Sequence, residues 1–438
     1  VSDVSWIVTT YVVAAAAATP LWGKLGDRYG RSRLLQLSLA GFLGASALCG
    51  VSQSLVMLLV VRGVQGVAAG GLMTLAMASV GDLVSPRERA RYQGIIAAVF
   101  AGATVLGPLV GGVLVQDAGW RWVFYVNLPV GIAALTALRL RLPSAPGEGG
   151  RLPLDLWGSA LLVLATSGLM LTCVLGGSGR LWTSPLVLSL AATAVVATVG
   201  LIARERRAPD PVVPLDVLRL RPVAVACATF FLATAGLFAI TVFVPLFLQT
   251  TTGASPTLAG LLLVPMMIGV TVSTNLAGRA IGRSGRYKRY PVAGLALMTA
   301  GLAILAARAL DPSRTATGVG LAVFGLGFGL VGQVLMVAVQ NSVDRSRLGV
   351  ATASTNLFRA LGGAIGSAVL GAVFAARVGH GSPAEIESAA RTVFLAGAGL
   401  TALAFLVVLL LEEVPLRGPA APPRGAENSS AQPELSRR

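Results

Sequence analysis

Thirteen apolar runs, each about 20 residues long and separated by short breaks, constrain this chain more than any other feature. A helix rises about 1.5 Å per residue, so about 20 apolar residues cross the roughly 30 Å hydrocarbon core of a bilayer. The runs fall at 5–22, 34–51, 56–81, 92–116, 122–138, 156–176, 184–203, 223–249, 257–277, 290–308, 315–340, 349–375 and 391–411. Only 12% of the 438 residues are charged and 55% are hydrophobic, whereas soluble domains carry about 25% charged residues. Each run must satisfy its backbone polar groups internally, so the runs read as helices and the chain as an all-α, polytopic membrane protein.

The breaks between runs test that count independently, because Lys and Arg concentrate in cytoplasmic loops. With the break at 23–33 placed inside, strict alternation puts twenty-six of the 34 Lys and Arg residues on the inner side. Six fall outside, and Arg62 and Arg359 lie within runs. A wrong helix count would scramble this alternation. It predicts an outside N-terminus and a cytoplasmic C-terminus; heavy use of arginine, with Lys24 and Lys288 the two lysines, points to a bacterial cytoplasmic (inner) membrane. The net charge of +16 is explained by these loops. A nucleic-acid surface is the poorer reading, because few aromatics interleave with the cations.

Val1 to Val4 carry no basic segment and no cleavage site, so the first run is a membrane helix and not a secretory signal. An odd number of spans predicts either one further helix upstream of Val1 or a chain that begins at Val1. Residues 142–153 and 204–222 are rich in Pro and charge, and they bracket the runs at 156–176 and 184–203. The expected organisation is an N-terminal bundle over 1–141 (its first helix missing), a linker over 142–221 holding an inserted helix pair, and a C-terminal bundle over 222–411. Residues 412–438 read as a disordered cytoplasmic tail, being rich in Pro, Ala, Ser and Arg without apolar periodicity.

Three segments carry mechanism. In GKLGDRYGRSR, Gly23, Gly26 and Gly30 allow a very tight turn, and Asp27 stands among Lys24, Arg28, Arg31 and Arg33. A lone acid among cations beside a helix end suits a latch that holds in one state and breaks in another. The plain reading is a basic loop that fixes topology. In LVVRGVQGVAAGG, Arg62 and Gln65 are three residues apart and share a helix face. A cation at membrane depth normally faces a bundle interior or a watery cavity, or else snorkels to the interface. In GATVLGPLVGG, Gly102, Gly107, Gly111 and Gly112 form a small face for close helix approach, with Pro108 as a kink site.

These segments resemble the major facilitator superfamily, and within it the fourteen-spanner drug:proton antiporters. The first looks like the superfamily's signature loop, matched across Gly23, Leu25, Gly26, Asp27, Arg28, Gly30, Arg31 and Arg33. The second is similar to the signature whose arginine is associated with proton transfer, and the third to the antiporter signature of drug exporters. GRAIGRSGR at 278–286 looks like a degenerate second copy of the signature loop, and NLFRALGGAIG sets Arg359 beside Gly362 and Gly366. The resemblance implies a major facilitator fold of two helical bundles plus an inserted helix pair. It also implies proton-coupled export of amphipathic or cationic small molecules by alternating access, driven by the proton motive force without a cofactor. Rivals are export of a lipid or self-made metabolite, and a truncated protein that transports nothing.

A proton antiporter needs a carboxylate that can be desolvated. All eighteen acids fall in breaks, at run ends or in the tail, and the family's usual acid belongs to a first helix. Asn127, Gln249, Asn275, Gln333, Gln340, Asn356 and Arg359 are the remaining polar groups within runs, either lining a cavity or bridging helices. Cys49, Cys173 and Cys227 fall in apolar runs, and His380 is the lone histidine. No metal spacing, nucleophile or phosphate loop is present, so an enzyme is not expected. The expected partners are the bilayer, protons and a small-molecule substrate, for a monomer.

Overall fold

The computed structural model describes residues 2–84, 86–142, 155–177, 182–252, 260–310, 313–378 and 382–414. These residues are almost wholly helical, with no strand among them. The helices are α1 (Ser2–Tyr29), α2 (Arg31–Gly50), α3 (Leu55–Leu83), α4 (Pro86–Asp117), α5 (Trp122–Tyr125), α6 (Asn127–Arg141), α7 (Leu156–Gly177) and α8 (Pro185–Glu205). They continue as α9 (Leu215–Arg219), α10 (Arg221–Thr241), α11 (Phe243–Thr252), α12 (Val264–Ser284), α13 (Arg289–Ala307), α14 (Arg314–Ser342), α15 (Leu348–Ala375) and α16 (Pro383–Leu409). Among the described residues, eleven spans are long and apolar enough to cross a membrane. Helices α4 and α12 occupy the other two expected runs, so each of the thirteen runs holds helix.

Local chemistry sets the boundaries. Ser54 and Ser184 cap α3 and α8 by accepting from the N–H groups of Met57 and Val187. Ser382 and Glu385 form a reciprocal capping box on α16. The run at 122–138 is split at Val126, three residues ahead of Pro129. Proline has no N–H to give the carbonyl four residues back, here that of Tyr125. At the same break the Asn127 side chain donates to the Phe124 carbonyl at 3.2 Å. The run at 223–249 divides likewise at Val242, three residues ahead of Pro245.

Helices α1, α2, α3 and α6 form one group and α10 to α16 a second, larger one. The second has the larger buried core, which includes Leu295, Met298, Leu302, Phe324, Val337 and Phe394. In it, Gly362 and Gly366 of α15 face the backbone of Phe231 and Ala235 on α10, so close that a side chain there would overlap the neighbouring chain. Helix α7 pairs with α8 and lies against α1 and α15. The groups meet where α1 and α3 pack on α15, and α4 packs chiefly on α12 and α14. Outward valines such as Val60, Val64, Val196 and Val199 are well exposed, an arrangement suited to lipid and costly in water.

Two segments outside the membrane spans hold defined contacts. Residues 204–222 are ordered: Glu205 accepts from the N–H groups of Val212 and Val213 at 3.2 Å each, and α9 follows. The expected tail begins with a fixed segment, because Glu413 accepts from the Tyr287 N–H at 2.7 Å and Val414 donates to the Tyr287 hydroxyl at 2.9 Å. Its acids meet the basic α12–α13 turn, a pairing that composition does not reveal. Residues 143–154 and 415–438, and with them most of both expected irregular segments, lie outside the described residues, as does His380.

Candidate functional site

The expected loop at 23–33 is a single residue. Helix α1 runs on to Tyr29, α2 starts at Arg31, and only Gly30 turns, with φ 93° and ψ 123°. That conformation is open to glycine and costly for any side chain. Gly23 and Gly26 are not turn residues but contact residues. A Cβ on Gly23 would stand 2.6 Å from both the Ala353 side chain and the Gly349 carbonyl of α15.

The continued helix carries Asp27 to the first turn of α15. Its Oδ1 accepts from the Gly349 N–H at 2.9 Å and from Arg31 Nε at 3.0 Å and Nη2 at 2.6 Å; its Oδ2 accepts from the Val350 N–H at 2.9 Å. The first N–H groups of a helix have no internal partner and carry the positive end of its dipole, so a buried carboxylate fits there. Arg31 also bonds Asp82 and donates to the Arg345 carbonyl at 2.6 Å. Arg28 lies 3.5 Å from Asp210, which also pairs with Lys24.

Arg89 and Asp216, which sequence reasoning did not single out, extend this closure together with Gln340 and Asn356, which it did. Arg89 donates to the Gln340 carbonyl at 3.1 Å and the Gly81 carbonyl at 2.5 Å. Gln340, buried, donates to the Met77 carbonyl at 3.2 Å and to Thr352 at 3.3 Å. Further out, Asn356 donates to Thr74 at 3.3 Å. Asp216, just after the α8–α9 link, pairs with Arg347, and a cavity of about 500 Å³ lies between this link and the two helix groups. Thr74 is nine residues from the end of α3, so all these bonds between the groups fall within about 14 Å of one end. The breaks that charge alternation assigns to one side meet there.

At the other end Arg62 and Gln65 join a network within the first group. Arg62 donates to Gln65 Oε1 at 2.7 Å and to the Ile7 carbonyl at 3.1 Å, with its guanidinium 4.2 Å from the centre of the Tyr11 ring. Gln65 donates to Ser46 at 2.6 Å, and Asn127 donates to the same hydroxyl at 3.4 Å. The cation is thus solvated by neutral acceptors and an aromatic face.

The Major Facilitator Superfamily model matches residues 1–367. The chain belongs to the major facilitator superfamily. It is 35% identical over 445 residues to an uncharacterized transporter of this superfamily from Mycobacterium tuberculosis (strain H37Rv), covering 94% of this chain and 65% of that one. It is 34% identical over 379 residues to the multidrug transporter protein MdtP of Bacillus subtilis, covering 86% of this chain and 70% of that protein. The chain therefore spans about two thirds of the length of these relatives. Its fold superposes on the proton:xylose symporter XylE with a TM-score of 0.65 at 14% identity, covering 94% of this chain and 86% of that one.

The other residues singled out in the sequence are placed less uniformly. Helix α4 is continuous through Pro108. Among the described residues nothing lies within 4 Å of where a Cβ would sit on Gly102, Gly107 or Gly111, so the small face is unpacked there. The surroundings of Pro108 and Gly112 lie outside the described residues. Gln249 is exposed near the end of α11, which corrects its reading as a buried group. A helix end at the interface leaves a polar side chain free to reach water. Asn275 is half-buried and bonds its own helix at Thr271. Gln333 is half-buried, with its amide oxygen unpartnered among the described residues. Gln340 and Asn356 bridge helices. Arg359, one turn beyond Asn356, lies 5.8 Å from the centre of the Phe328 ring. The three cysteines are buried and free, and the described residues hold no cluster of potential metal ligands.

Proposed function

We propose that this protein exports amphipathic small molecules from a bacterial cytoplasm by alternating access, coupled to inward proton flow, with the Gly30 end facing the cytoplasm. The observation that carries this reading is the one-ended closure: Asp27 of the first helix group bonded to the N-terminus of α15 in the second. A contact made of a few directional bonds between two rigid groups can break as a unit, which alternating access requires. Kinship to a multidrug transporter supports export as the direction. Arg62 and Gln65 would serve proton movement, and the unpacked glycine face of α4 would let that helix rock.

The test is efflux of a panel of amphipathic dyes from cells expressing the full-length gene, with and without a protonophore, beside Arg62→Ala. Protonophore-sensitive efflux that is lost in Arg62→Ala supports the reading. Efflux that persists after the proton gradient collapses would exclude proton coupling, and no efflux of any dye would exclude multidrug export.

A further inference from the structure

We propose that Arg359 is the site where cargo is recognised, and that the cargo carries an acidic group (a carboxylate or similar anion) on an otherwise apolar body; this rests on the exporter reading above. Arg359 is eleven residues into α15, about 16 Å from the closed end and so near the middle of the bilayer core. It is half-buried. We place it facing inward between the helix groups and not toward lipid. Its neighbours agree: Asn356, three residues before it, bonds Thr74 across the helix groups, and Gly363, four residues after it, lies against Phe238 of α10.

The Asn356–Thr74 bond is the outermost of the named bonds between the groups, so Arg359 stands just beyond the closure. Beside it Phe328 stacks on buried Phe324, with planes 11° apart, giving a firm apolar wall. One turn along, nothing among the described residues lies within 4 Å of a Cβ on Gly332, so there is room at that wall. Among the described residues the Arg359 guanidinium has no ion pair and no hydrogen bond; its ring contact is with Phe328. By contrast Arg62 has two hydrogen bonds, and Arg31 is held by two acids. A cation at this depth costs several kcal/mol unless something neutralises it. A ligand that brings an anion and an apolar face would do so, through charge-assisted bonds that a guanidinium makes in a fork.

The probes are an amphipathic dye with one carboxylate and its methyl ester, titrated by fluorescence against the purified full-length protein in nanodiscs. The acid is expected to bind about ten- to a hundredfold more tightly than the ester. Arg359→Gln is expected to erase that preference while leaving ester binding unchanged, and Arg359→Lys to keep part of it. Equal binding of acid and ester by the unaltered protein would overturn the proposal; a carboxylate already supplied to Arg359 by another part of the protein would give that result. Equal loss of both ligands in Arg359→Gln, with the conservative variant no better, would reduce the residue to a structural role. Binding is read apart from transport, so a protein that prefers the acid but moves no dye would sink the exporter reading alone.

Discussion

Replacing Asp27 by Asn tests the closure while leaving the shape of the side chain intact. The side chain is only 9% exposed, so solvent screening discounts little of its interactions. Two of its four bonds cross between the helix groups, to the Gly349 and Val350 N–H groups at 2.9 Å each. A bond to a charged group contributes about 1.5–3 kcal/mol and a neutral one about 0.5–1.5 kcal/mol, so in Asp27→Asn the bond kept by the amide oxygen loses about 1–1.5 kcal/mol, while the other, where an NH2 that cannot accept now meets an N–H, is lost at about 1.5–3 kcal/mol. The two losses total about 2.5–4.5 kcal/mol, which moves the balance toward opening at this end by about 70- to 2000-fold. Spin labels at Arg33→Cys and Arg286→Cys, exposed positions in the two groups, would report that opening as a longer distance population. The native cysteines are all buried, which confines labelling to the introduced sites. An unchanged distance distribution in Asp27→Asn, in the full-length protein in lipid, would refute the reasoning.

Three further outcomes follow from the same geometry. Gly23→Val would push a side chain into the Ala353 side chain and the rigid Gly349 carbonyl; it is expected to open the same end and abolish transport, while unfolding in detergent shifts by no more than about 1–3 kcal/mol. Gly30→Ala puts a side chain at φ 93° and should destabilise the protein by about 1–3 kcal/mol, read as a lower melting temperature in detergent. The Asp216–Arg347 pair is about half exposed, with side-chain exposures of 61% and 52%, so after screening it contributes no more than about 0.5 kcal/mol, and Arg347→Ala should change the label distances less than about threefold in population. Partial burial works to raise the Asp216 carboxyl, but the Arg347 guanidinium and the backbone N–H of Val217 outweigh it and hold the group below its ordinary value. Its small contribution is therefore present at neutral pH and lost only as pH falls through that lowered value, so titration of label distances between about pH 5 and 8 should show no step from this pair.

Hydrophobic length is a local property, and for that reason the helices were legible while the closure was legible only in part. The apolar run at 5–22 stops where charge begins, yet Lys24, Asp27 and Arg28 are compatible with a helix, and α1 carries on through them for about two further turns. Asp27 and Arg31 are four residues apart and pair directly, a relation that spacing displays. Their other partners stand at Asp82, Arg345, Gly349 and Val350, on separate elements, where no periodicity links them to residue 27. Arg89 shows the limit most clearly: its neighbours Arg87 and Arg91 share its sequence surroundings, and only the fold sends Arg89 inward to the Gln340 carbonyl.

The same contrast separates the two arginines that stand within apolar runs. Both read alike in sequence, as cations at a depth where charge is expensive. The fold gives Arg62 neutral acceptors and an aromatic face within one helix group, so it can remain charged without a ligand. It gives Arg359 an aromatic ring and, among the described residues, no hydrogen bond or ion pair. A cation that is already solvated can tune its neighbours through every step of a cycle, while one that is not gains most when something binds. If the acid–ester preference is found at Arg359 and not at Arg62, the division of labour between proton movement and cargo recognition follows from which arginine has no bonded partner among the described residues.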